Sequence, residues 1–169
     1  MKNIIKILFI FSLMLLLSSC ASSGRKPNYD IYGEEAIGFS IKSDQDLNYY
    51  NGEPHTLMLC VYQLRSLNAF NQLKDEKEGL SKLLECSSFD SSVTSSKSFV
   101  IYPGEEVSKT LDRAEGTKYI GIVTGYYMVQ KDEAVRTHQI PVSFFGKKPK
   151  KVDAELFLGR EKIRGFMGK

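Results

Sequence analysis

Cys20 is the residue whose setting most directly implies chemistry. Lys2 and Lys6 make a positive start, Ile7 to Leu17 is almost wholly apolar, and Leu17-Ser18-Ser19-Cys20 places small residues before a thiol. The apolar run is shorter than the roughly 20 residues that span a bilayer, so it fits a cleaved secretory leader rather than a membrane helix. The arrangement is that of a bacterial lipobox. Small residues let a peptidase close around the backbone, and the thiol forms the thioether to diacylglycerol. Residues 1–19 are then the signal peptide and Cys20 the lipidated first residue. Ala21 follows, with no aspartate to signal inner-membrane retention, which predicts the periplasmic face of the outer membrane. Each buried CH₂ contributes about 0.8 kcal/mol, so several acyl chains hold firmly.

The other reactive side chains are few. His55 lies in a loop-like segment and His138 in a strand-like one, and Cys60 and Cys86 complete the set. Neither Cys-x-x-Cys nor His-x-x-x-His spacing is present, so no metal site is predicted. A Gly-x-Ser-x-Gly elbow and a phosphate-cradling glycine loop are also missing, and neither a catalytic residue nor a cofactor is implied. A hydrolase would need His55 or His138 beside a serine and a carboxylate. In an oxidising compartment Cys60 and Cys86 are a candidate disulfide, whose loop closure would contribute roughly 3 kcal/mol. The other reading makes Cys60 a small core residue and Cys86 a helix-end residue.

These groups sit in a chain of 169 residues, 42% hydrophobic and 25% charged. That composition fits one globular domain and excludes general disorder. Without Lys2 and Lys6 the mature chain carries 21 basic against 20 acidic residues, so no single-sign field points to nucleic acid. Residues 20–34 are small, polar and Pro/Gly-containing and read as a tether of about 40 Å when extended. Residues 35–169 form the domain. Ala36 to Ile41 alternates as a first strand, and Asp44 to His55 is a loop rich in turn formers. Thr56 to Leu64 is a nearly continuous apolar strand, the pattern of burial on both faces. In Ser66 to Glu85 the period changes to helical, with Phe70, Leu73, Leu80 and Leu84 on one face and Asp75-x-x-Glu78 resembling a capping box.

Ser87 to Ser98 reads as a loop. Strands resume at Ser98–Tyr102, Val107–Leu111, Lys118–Val129, Arg136–Phe145 and Val152–Leu158, with Gly121 and Gly125 allowing close backbone approach. Six or seven short strands with turn signals between them predict a mainly β, two-sheet sandwich with a short helical insertion after the second strand. The basic run Lys147-Lys148-Pro149-Lys150-Lys151 reads either as a solvated turn or as a contact for anionic lipid or an acidic partner. Asn48, Tyr49, Tyr50 and Asn51 form the candidate partner-binding segment, because loop tyrosines supply rigid contact area.

Several elements occur in a familiar order: the lipobox, Leu47-Asn48, Val61-Tyr62-Gln63-Leu64, Phe70 with Leu80-Ser81-Lys82-Leu83-Leu84, Pro103-Gly104-Glu105, and Tyr119-Ile120-Gly121-Ile122-Val123-Thr124-Gly125-Tyr126. Over Glu35 to Val129 this order resembles the type VI secretion outer-membrane lipoprotein family, TssJ (also called SciN or VasD). The resemblance implies a transthyretin-like β-sandwich and binding to the periplasmic C-terminal region of the inner-membrane protein TssM, with the loop between the first two strands, here Asp44 to His55, contributing. Two departures stand out: Tyr49 occupies a position where proline often follows the Asn, and the Ser-rich stretch Asp90 to Lys97 is long. The expectation is a non-enzymatic assembly protein of the secretion membrane complex. The alternative is a periplasmic lipoprotein binding a small ligand or glycan between its sheets.

Overall fold

Apolar side chains at every second position dictate the first layer. Along β1 (Gly33–Ser43) Ile37, Phe39 and Ile41 are buried while Gly38, Ser40 and Lys42 face outward. β7 (Val152–Leu158) repeats the pattern with Val152, Ala154, Leu156 and Leu158. In the computed structural model, which describes residues 27–128, 131–144 and 148–168, these two strands pair in parallel. β4 (Glu106–Arg113) and β8 (Ile163–Gly168) flank them antiparallel, giving the order β4-β1-β7-β8.

The second sheet has the order β3-β2-β5-β6, from β2 (Leu57–Leu64), β3 (Val93–Ile101), β5 (Tyr119–Thr124) and β6 (Val135–Gln139). Leu57, Leu59 and Val61 face the first sheet and join Ile120, Ile122, Ile37, Ile41 and Leu156 in the main core. The alternate residues Cys60, Tyr62 and Leu64 belong to a second core, covered by α1 (Asn68–Asp75) and α2 (Gly79–Leu84). Helical cover on the outer face is why the β2 run is apolar on both sides. Phe70 of α1 is fully buried beside Tyr62, with ring centroids 5.9 Å apart. A Cβ at Gly121 would lie 2.8 Å from the Phe70 ring, so this glycine permits the close approach. Burial pushes the Tyr62 hydroxyl up to about 12, and that hydroxyl donates to the Leu83 carbonyl at 2.6 Å.

The intersheet space is filled by apolar side chains, and it is closed at one end by Gln63. Its amide donates to the Asp112 carbonyl at 2.7 Å and accepts from the Ala114 N–H at 2.8 Å and from Thr117. The described depressions, of 250 to 370 Å³, open on the outer surface instead.

Several elements differ from the sequence expectation. Among the described residues the sandwich has eight strands, and β8 was not anticipated. β3 starts inside the Ser-rich stretch expected to be a loop. It is an edge strand whose polar residues are tolerated because none of them is buried. The strand expected over Lys118–Val129 stops at Thr124: the Gly125 N–H still bonds the Met58 carbonyl, but the Tyr127 N–H is taken by the Asn48 side chain. β6 ends at Gln139, and a separate hairpin with a Val142–Pro149 bridge follows where the strand Arg136–Phe145 was expected to continue; Phe145 itself lies outside the described residues. Asp75 and Glu78 form no capping box: Asp75 ends α1, and Glu78 caps α2 without a side-chain bond.

Part of the expected tether is docked. Tyr29 is buried, its carbonyl accepts the Gly116 N–H at 2.8 Å, and Arg113 Nη2 reaches the Ile31 carbonyl at 3.3 Å. Tyr32 hydrogen-bonds Asp112. The chain therefore meets the sandwich at the end where β1 begins, and loop Asp44–His55 lies at the opposite end, about 33 Å away along β1. Cys20 and the leader lie outside the described residues.

Candidate functional site

The loop between β1 and β2 is ordered from within. Leu47 is fully buried and plugs the end of the main core. Beside it Asn48, 3% exposed, sits at φ +49, a conformation asparagine tolerates better than most residues. Its Nδ2 donates to the Thr56 carbonyl at 2.8 Å, and its Oδ1 accepts the Tyr127 N–H at 2.9 Å. Asn48 thus joins this loop to the β5–β6 connection. The Tyr50 and Glu53 backbones bond each other reciprocally around Asn51 and Gly52, at φ +50 and +90. Two positive φ values in succession define a type I′ turn, which an Asn-Gly pair favours.

The hairpin between β7 and β8 braces the loop from outside. The Tyr49 N–H donates to the Arg160 carbonyl at 3.0 Å, and the Arg160 guanidinium lies 3.7 Å from the Tyr49 ring centroid. Arg160 also pairs with Asp46 at 3.3 Å and Arg164 with Asp44 at 2.5 Å. Lys162 reaches Glu133 at 2.8 Å, tying in the β5–β6 connection, which contains α3 (Lys131–Ala134). Exposed pairs such as these contribute under about 1 kcal/mol each, so their main effect is to fix geometry.

Together these braces present an aromatic surface. Tyr50 stacks on Tyr127 with centroids 4.9 Å apart, and His55 meets Tyr127 edge-on at 5.1 Å. Tyr127 is 58% exposed and Met128 59%. On the adjoining rim, Met58 pairs with Val100 across β2 and β3, and both, with Tyr102, are also exposed. Buried Tyr126 supports this end from below, its hydroxyl raised in pKa by burial. An exposed apolar and aromatic surface on a fixed backbone suits a protein contact.

Of the four loop residues singled out in the sequence, Tyr50 and Asn51 are exposed, Tyr49 is half-buried under Arg160, and Asn48 is internal. Tyr127, Met128 and Arg160 were not singled out. The first two lay in a presumed strand, although Gly125 just before them was a signal for its end. His55 and His138 occupy opposite ends of the sandwich, and His138 packs edge-on against Phe166. Burial lowers the pKa of His138. Among the described residues no three metal-ligating side chains converge, and no helix is long and apolar enough to cross a membrane.

Cys60 and Cys86 come together: their sulfurs lie within bonding distance and their Cα atoms 5.6 Å apart, joining β2 to the exit of α2. Thiol mapping of the unfolded, unreduced chain is expected to find neither cysteine free, and reduction to cost about 3 kcal/mol in a urea titration. Recovery of both as free thiols would remove the bridge.

Residues 35–159 match the family described as Type VI secretion lipoprotein, VasD, EvfM, TssJ. Among solved structures the chain is similar to the T6SS lipoprotein TssJ1 from Pseudomonas aeruginosa, at 19% identity and TM-score 0.61, covering 79% of this chain and 95% of that one. It is similar to Serratia marcescens Lip, a membrane bound component of the Type VI Secretion System, at 18% identity and TM-score 0.59, covering 76% and 94%. A chain of the structure described as the T6SS protein TssM C-terminal domain from EAEC aligns at 11% identity and TM-score 0.60, covering 78% and 96%. At these identities the likeness is one of fold. No curated protein matches the chain.

Proposed function

The chain belongs to the type VI secretion lipoprotein family, and from that premise we propose that it is an outer-membrane-anchored, non-enzymatic assembly protein. Lipid on Cys20 holds it at the periplasmic face. The aromatic end of the sandwich binds the periplasmic C-terminal region of a TssM-like inner-membrane protein to build the secretion membrane complex. One observation carries this reading: the stacked Tyr50–Tyr127 pair and Met128 stand at the end opposite the point where the chain leaves toward Cys20. An anchor at one end and a contact surface at the other is the arrangement a bridge across the periplasm requires. Confinement of both partners to one gap raises their effective concentration, so a modest pairwise affinity suffices.

The test separates anchoring from binding. Cys20→Ser is expected to leave capture of the partner's periplasmic region intact in a pull-down, while secretion falls to background. Normal secretion by this variant would refute the anchoring role. Failure of the lipidated chain to capture the partner would refute the contact.

A further inference from the structure

We propose that the basic hairpin at the tether end of the sandwich is itself a membrane-docking surface, which lies on anionic phospholipid headgroups of the leaflet that holds the anchor. The inference rests on the reading that Cys20 is lipidated.

At this end a basic hairpin is bonded to the tether. The Ser143 N–H donates to the Lys148 carbonyl at 2.7 Å, and the Lys150 N–H to the Pro141 carbonyl at 2.8 Å. The Tyr29 hydroxyl bonds the Ile140 carbonyl at the hairpin's root. Buried Arg113 links the two segments, with Nη1 on the Lys150 carbonyl and Nη2 on the Ile31 carbonyl, both at 3.3 Å. The hairpin therefore keeps a fixed position relative to the place where the chain departs for the membrane.

Its chemistry is one-sided. Lys148, Lys150 and Lys151 are exposed, and exposed Lys118 lies 5.8 Å from the Tyr29 ring centroid. Among the described residues no carboxylate is within ion-pair distance of these four ammonium groups. Between Ile140 and Val152 the sequence has no acidic residue, and the exposed carboxylates at this end, on Asp30, Glu34, Glu35, Asp90, Asp112, Glu115 and Asp153, all lie on other segments. Phe144, 82% exposed beside the lysines, adds an apolar group suited to the headgroup–acyl boundary.

Reach agrees with charge. Nine residue steps separate Cys20 from docked Tyr29, a contour of at most about 30 Å, so the hairpin cannot stay far from the bilayer. Each lysine near an anionic surface strengthens attachment by roughly fivefold, and the attraction fades within a Debye length. Docking this end would aim the Tyr50–Tyr127 surface away from the membrane.

The test uses the full lipidated chain, purified from membranes and reconstituted into vesicles of phosphatidylcholine alone or with about a third replaced by phosphatidylglycerol. Flotation reads the anchor, and amide hydrogen exchange over residues 140–151 reads the docking surface. The expected result is flotation with both vesicles, with exchange slowed at least about tenfold only where phosphatidylglycerol is present. Raised salt and Lys148→Glu/Lys150→Glu/Lys151→Glu are expected to abolish the slowing. Flotation with both vesicles but equal exchange would overturn the docking surface and leave the anchor. Flotation only with phosphatidylglycerol would retain the surface and overturn the anchor. Flotation with neither would overturn both.

Discussion

Replacing Tyr50 and Tyr127 together by alanine is expected to weaken binding of the TssM-like periplasmic region by at least about a hundredfold, with little change in thermal stability. The two rings stack at 4.9 Å and both are substantially exposed, so they contribute contact area without holding the core. Aromatic anchors at the centre of an interface commonly cost 2 kcal/mol or more each when truncated, and two of them exceed a hundredfold in affinity. The backbone beneath should persist, because it is set by Asn48, by the Asn51-Gly52 turn and by the Arg160 brace, none of which needs either ring. Surface plasmon resonance with the partner's periplasmic region measures the affinity, and a thermal melt checks the fold. An unchanged Kd in a folded variant would place the contact elsewhere.

Phe70→Ala is expected to lower unfolding stability by about 3–5 kcal/mol, measured by urea titration with the Cys60–Cys86 pair left oxidised. Phe70 is the central side chain of the second core. It is fully buried, it meets Tyr62 at 5.9 Å and Phe89 at 6.4 Å, and its ring lies against Gly121. Truncation opens a cavity between α1 and the sheet that neither neighbour can fill without leaving its own contacts. The complementary change, Gly121→Ala, adds a Cβ where the Phe70 ring already lies and should cost about 1–3 kcal/mol. A loss below 1 kcal/mol for Phe70→Ala would mean that the helical pair does not pack on β2 and β5 as described.

The sequence revealed most where a segment's burial is decided locally. β7 keeps the expected bounds Val152–Leu158 because buried Val152, Ala154, Leu156 and Leu158 alternate with the less buried Asp153, Glu155 and Phe157. The continuous run of β2 marked a strand covered on both sides, and the helical period after it located the cover. Gly121 was legible as a close approach, although the ring that approaches was not. The Val93–Lys97 part of β3 and the whole of β8 escaped the sequence reading because serine in one, and glycine and arginine in the other, oppose a strand until a neighbour supplies the ladder.

The candidate site divides in the same way. The Asn51-Gly52 turn and the aromatic character of the loop are local properties. The inward turn of Asn48 depends on a backbone N–H at Tyr127, and the burial of Tyr49 depends on Arg160, residues far along the chain. Pairings of that range leave no periodic trace in the sequence.

Because β1 lies between β4 and β7, its second neighbour is synthesised more than a hundred residues after it. The first sheet cannot close until nearly the whole chain is available, and contacts of such long range make folding slow. The loop that carries Tyr50 inherits this delay, since its outer brace at Arg160 belongs to the hairpin that follows β7. A nascent or truncated chain therefore lacks a finished loop end, and the order of folding completes that aromatic surface last.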